Sequence, residues 1–184
     1  MMHLMLRKNC EQTNLQERPL EYKGAGKPVI THYYMIDLEN VGIIALRGID
    51  LTEENAEVVI FISNAAHIAT TELQDDICNA KARVKTFFCG ATCKNGMDFE
   101  IAAFFGEILK REDTERISII SNDKGYQALT DYAMRVRKSV SVYLAPSVME
   151  AYAAASAGYS YKEYEMRKDN AVDFKQLMQA LESQ

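Results

Sequence analysis

No uninterrupted apolar run in the 184-residue chain approaches the roughly 20 residues that a membrane-spanning helix needs. The start, "MMHLMLRKNCEQ", turns polar too soon for a secretory leader, so a cytoplasmic protein with no membrane partner is expected. Histidine and cysteine are sparse, at three and four residues. Cys89 and Cys93 lie close together, but no second Cys or His pair has the spacing of a zinc site, and His3, His32 and His67 are scattered. The thiols therefore read as buried or incidental. A basic excess is missing as well. The 21 Lys and Arg against 26 Asp and Glu leave a net charge of −5, which argues against a duplex binder coated in positive charge. It leaves room for nucleic acid handled through carboxylate-held metal ions, with local basic groups at Arg83 and Lys85, Lys110 and Arg111, and Arg135, Arg137 and Lys138. Repeats and low-complexity tracts are absent.

What is present is ordinary for a soluble globular chain, with 48% hydrophobic and 26% charged residues. The length suits one domain with a substantial core. Residues 1–28 lack periodicity and end in "KGAGKP", so they are expected to form a loosely held tail. From there, short apolar runs rich in β-branched and aromatic residues alternate with helical patterns. "HYYMIDL" (32–38), "EVVIFIS" (57–63), "ARVKTFFC" (82–89), "RISIIS" (116–121) and "SVSVYLA" (139–145) read as five strands covered on both faces. Residues 65–81, 97–111 and 125–137 read as amphipathic helices, the last through Tyr126, Leu129, Tyr132, Ala133 and Val136. The link "ENVGIIALRGIDLTEENA" is less regular and is expected to hold only a short helix. Strands alternating with helices imply an α/β fold, a parallel, Rossmann-like sheet of about five strands flanked by helices, over residues 29–146. Residues 147–184 read as a C-terminal helical extension, most amphipathic in "VDFKQLMQALE", that packs on the domain or joins two copies as a homodimer.

An open parallel sheet binds its ligands at the carboxyl ends of its strands. Three acids from three segments are expected at that edge. Asp37 ends the first strand, Asp123 follows the fourth in "SNDKGYQAL", and Asp98 lies in the first turn of the helix after the third. Such a set of hard oxygen donors suits Mg²⁺ or Mn²⁺, which bind a few carboxylates and keep waters and substrate phosphates in their other positions. Each acid also has a plainer reading: Asp37 as a partner for turn amides, Asp98 as an acid favoured by the helix dipole, and Asp123 as an N-cap. Their conjunction favours the metal site.

The blocks "IDLEN", "KNGMDFEIAAFFGEIL" and "IISNDKGYQAL" resemble, in order and spacing, the acidic blocks of PIN-like nuclease domains, in the bacterial branch close to the NYN domains. The resemblance covers about residues 30–145. It implies a metal-dependent (ribo)nuclease using Mg²⁺ or Mn²⁺ and acting on RNA, with single-stranded DNA as the alternative substrate. Asp37, Asp98 and Asp123 match the metal-binding acids, and Asn40 matches the polar residue after the first. Lys94, Asn95 and Lys124 match positions that could hold phosphates, and Ser121 matches the hydroxyl residue that could steady the last loop. A fourth acid, present in many PIN domains, is less clearly matched. Glu72 is the candidate, Asp75 and Asp76 are alternatives, and a solvated helix face is the plainer reading of all three. Glu39 is expected to point away from Asp37 if the strand continues that far. The rival account is a non-catalytic PIN-like module that binds nucleic acid or protein. An aspartyl phosphatase would want Asp-x-Asp after the first strand, where this chain has "DLEN".

Overall fold

A computed structural model describes residues 29–62, 77–90 and 95–158. Five parallel strands lie in the order β3-β2-β1-β4-β5: β1 His32–Asp37, β2 Ala56–Ile62, β3 Arg83–Phe88, β4 Arg116–Ile120 and β5 Ser141–Ala145. The expected α/β sheet is therefore present, and its strand order reverses between β1 and β4. Side chains alternate across the sheet because each strand has a period of two. One face carries Tyr33, Met35, Val59, Phe61, Ile117, Ile119, Val142 and Leu144. It is covered by α2 (Gly96–Leu109), which inserts Ile101, Phe105 and Ile108, and by α3 (Gln127–Val136), which inserts Ala133. The rings of Phe61, Phe87 and Phe104 meet there with centroids 5.2 to 6.2 Å apart. The other face, with Tyr34, Ile36, Val58, Ile60 and Ile120, lies under α4 (Val148–Ser156) and the β1–β2 connection.

That connection holds the short helix α1 (Leu38–Val41), followed by two 3₁₀ turns at Ile43–Leu46 and Ile49–Leu51. Gly48, with φ 87°, lies between the turns, where an added Cβ would stand 3.1 Å from that of Met149 on α4. The helix expected over 65–81 falls mostly outside the described residues, as do the tail 1–28 and the "VDFKQLMQALE" segment. β3 differs from the expectation of burial on both faces. It is an edge strand, and Arg83, Lys85, Thr86 and Phe88 are exposed. β5 begins later than expected. Arg137 donates to the carbonyls of Leu109, Arg111 and Glu112 at the end of α2, and a turn closed by Val140 N–H on Arg137 O intervenes before the strand. Among the described residues, no helix is long and apolar enough to cross a membrane.

The amino-terminal edge of the sheet is closed by paired charges. Arg116 bonds Glu53 and also contacts His32 Nδ1 at 2.8 Å, while the Tyr34 hydroxyl donates to Glu53 Oε2 at 3.1 Å. Burial pushes the Glu53 carboxyl up, yet His32 and Arg116 outweigh it and hold the group down to about 2.

Candidate active site at the carboxyl edge

Asp37 is the last residue of the central strand, and the chain turns into α1 directly after it. The carboxylate is only 5% exposed. Ser121 Oγ donates to its Oδ2 at 3.2 Å, and the Tyr126 hydroxyl lies 3.4 Å from the same oxygen. Burial raises the pKa of Asp37. The Ser121 hydroxyl and the Asn40 backbone N–H, which faces the carboxylate without closing a helix cap, oppose that rise, and the charge of Asp98 adds to it.

Asp98 arrives from the segment after β3, in the first turn of α2. The chain enters that helix through Asn95, at φ 63°, the one non-glycine residue with positive φ among those described. Asn tolerates this left-handed conformation better than most residues. Asp98 Oδ1 accepts the Tyr126 hydroxyl at 2.9 Å. Asp37 and Asp98 thus meet through one phenol. Burial, the Asp37 charge and the hydrogen bond to Asp98 all keep that phenol protonated far above its ordinary range.

Asp123 stands at the same edge but is exposed. It caps the 3₁₀ turn Lys124–Tyr126, its Oδ1 accepting Gly125 N–H at 2.7 Å. A Cβ on residue 125 would sit 3.1 Å from that oxygen, which accounts for glycine there. The Asp123 N–H donates to Ser121 Oγ at 3.1 Å, and Asn122 N–H donates to Asn40 Oδ1 at 2.7 Å. The loops after β1 and β4 are therefore stitched together across the crevice. Ser121 is buried, so its hydroxyl steadies Asp37 and its own loop. Lys124 is exposed beside Asp123. Lys94, Glu72, Asp75 and Asp76 lie outside the described residues.

The strand does not continue to Glu39, which instead sits exposed in α1. Its charge reaches Cys89. Burial, a hydrogen bond with Glu100 and the charges of Glu100, Glu39 and Asp37 push that thiol up to about 12, so it is inert, as expected of a buried cysteine. Sequence reasoning took Tyr126 as a core residue only. The one clue to its second role is a hydroxyl-bearing aromatic where Phe would fill the same space.

Two hard carboxylates joined at the sheet's reversal point fit Mg²⁺ or Mn²⁺. Among the described residues, no group of three His, Cys, Asp or Glu side chains is arranged to enclose an ion. An ion here would accordingly keep most of its shell as water and substrate oxygens, which is the habit of Mg²⁺.

No curated protein and no solved structure matches the chain. The PIN domain family does, over residues 31–143, a span that runs from β1 into β5 and contains Asp37, Asp98 and Asp123. The chain therefore belongs to the PIN domain family, whose members are generally nucleases that use divalent metals.

Proposed function

We propose that this protein is a metal-dependent nuclease, of the branch close to the NYN domains, that hydrolyses phosphodiester bonds of single-stranded RNA in the cytoplasm. The observation that carries the reading is the pairing of Asp37 and Asp98 through Tyr126 where the strand order reverses. Asp37, Asp98 and Asp123 would hold Mg²⁺ or Mn²⁺, which when bound lowers the pKa of a water and offsets charge on the phosphate. Asp123 has one oxygen on Gly125 N–H, and among the described residues no hydrogen bond engages the other. Asn40 has its carbonyl oxygen on Asn122 N–H, so its amide nitrogen serves as a donor to a phosphate oxygen. Lys124 supplies positive charge beside Asp123, and Lys94 as a further charge and Asn95 as an amide donor would also hold phosphates. Burial of Asp37 strengthens the attraction of the crevice for a cation, because little water screens the charge.

A non-catalytic binding module is the second reading, favoured by the use of Asp123 as a turn cap. Incubation with a mixed pool of labelled single- and double-stranded RNA and DNA separates the two. The nuclease reading expects cleavage of single-stranded RNA with Mn²⁺ or Mg²⁺, none with chelator, and loss of it in Asp123→Asn. Binding without metal-dependent cleavage would establish the module. A homodimer through the C-terminal residues belongs to the same proposal and is tested by sedimentation of the full chain against one ending at Gly158.

A further inference from the structure

We infer that Tyr126 is a positioning residue that aims the Asp98 carboxylate at Asp37, an inference that rests on the metal-site reading above. Three observations converge on it. The first is reach: Tyr126 belongs to the third acidic block, yet its hydroxyl touches the acids of the other two, at 2.9 Å from Asp98 Oδ1 and 3.4 Å from Asp37 Oδ2. The second is mounting. The ring is buried in the core with Ile101 and Phe105 of α2, and its backbone is fixed by Tyr126 N–H on Asp123 O at 3.3 Å. The third is dependence. Asp37 has the Ser121 hydroxyl as a further donor, whereas among the described residues the phenol is the one group hydrogen-bonded to Asp98.

A phenol carries a single proton, and the shorter contact identifies its acceptor as Asp98. The Tyr126 oxygen then stands between two anions that would otherwise repel. Without the hydroxyl, no partner among the described residues selects the Asp98 rotamer that faces Asp37, and the two oxygens are no longer presented to one cation. Groups that orient metal-binding carboxylates in this way typically contribute 10- to 100-fold in affinity.

The test is Mn²⁺ binding to metal-free full-length protein, followed by electron paramagnetic resonance of free Mn²⁺ well below the melting temperature. Tyr126→Phe, which keeps the ring, should show a native circular-dichroism spectrum and bind Mn²⁺ about 10- to 100-fold more weakly. In the Asp98→Ala background the same change should have little further effect, because Tyr126 acts through Asp98. In the wild type, the Tyr126 ring carbon bearing the hydroxyl should shift in NMR spectra along the Mg²⁺ titration, a measurement that needs no variant to fold. Equal Mn²⁺ affinity of wild type and Tyr126→Phe would overturn the role of Tyr126 and leave the metal site standing. Absence of Mn²⁺ binding by the wild type would overturn both.

Discussion

Replacing Asp37 by Asn should make the metal-free protein more stable at neutral pH, although it removes a central group of the candidate site. Taking an ionised carboxylate out of water costs several kcal/mol even after relaxation, and Asp37 is almost wholly buried with a second carboxylate nearby. Against that stand the Ser121 hydroxyl at 3.2 Å, a long contact at the weak end of hydrogen bonds to a charged group, and the Asn40 backbone N–H. The raised pKa of Asp37 shows that the unfavourable side prevails. Asparagine keeps one oxygen for the same donors and sheds the charge. A gain of about 1 kcal/mol is expected, the size of a typical single-site effect, which corresponds to roughly 2–4 °C in melting temperature for a chain of this size. The pH dependence follows from the sign of the shift. The folded protein holds the Asp37 proton more tightly than the unfolded chain. Wild-type stability is therefore intact below the ordinary carboxylate pKa and lost as pH rises through the raised folded value. The advantage of Asp37→Asn should be full at neutral pH and vanish in acid. Calorimetric melts in chelator, at neutral and acid pH, provide the measurement. A mutant less stable than wild type at neutral pH, or one with an equal gain in acid, would refute the account of Asp37 as a desolvated anion. Saturating Mn²⁺ should reverse the order, because binding at 100 times Kd adds about 2.7 kcal/mol to the protein that retains the site.

Further expectations concern activity, substrate and core. Asp37→Asn and Asp123→Asn should each cleave RNA about 100-fold or more slowly, the loss of several kcal/mol of charge stabilisation at a metal; rates equal to wild type would trace the activity to a contaminant. Lys124→Ala should weaken RNA binding to a similar degree for every sequence and lower the salt slope by about one; a changed sequence preference at constant slope contradicts a phosphate contact. Phe105→Ala, which hollows the packing of α2 on the sheet, should cost about 3–5 kcal/mol in denaturant unfolding; a loss below about 1 kcal/mol would show that α2 is not anchored there.

Much of this architecture was legible because burial on both faces leaves a plain signature. "VVIFI" is a continuous apolar run and "RISII" is interrupted only by Arg116 and the buried Ser118, and they lie in two of the three inner strands. The convergence of Asp37 and Asp98 followed from topology alone, since strand ends and the starts of the next helices share one edge. Other features depended on contacts that no local pattern announces. Arg137 reaches carbonyls more than twenty residues back, and the chain turns between it and β5. The Tyr126 bridge depends on how α2 and the turn after β4 pack, a tertiary matter that leaves only a hydroxyl in the sequence. Asp123 was ambiguous for a different reason, because an acid before Lys-Gly caps a turn as readily as it binds an ion.

The seam between the loops after β1 and β4 joins Ser121 to Asp37 across 84 residues of chain, and Asn122 to Asn40 across 82. Contacts of such separation form late, because the closure entropy of the long intervening segment has to be overcome first. On a ribosome, the amino-terminal strands emerge long before "SNDKGY" does. A nascent chain stopped short of β4 carries Asp37 with no Ser121 to steady it and no Tyr126 to join it to Asp98. The carboxylate pair is thus a property of the nearly completed domain alone, and truncated or half-made copies lack it.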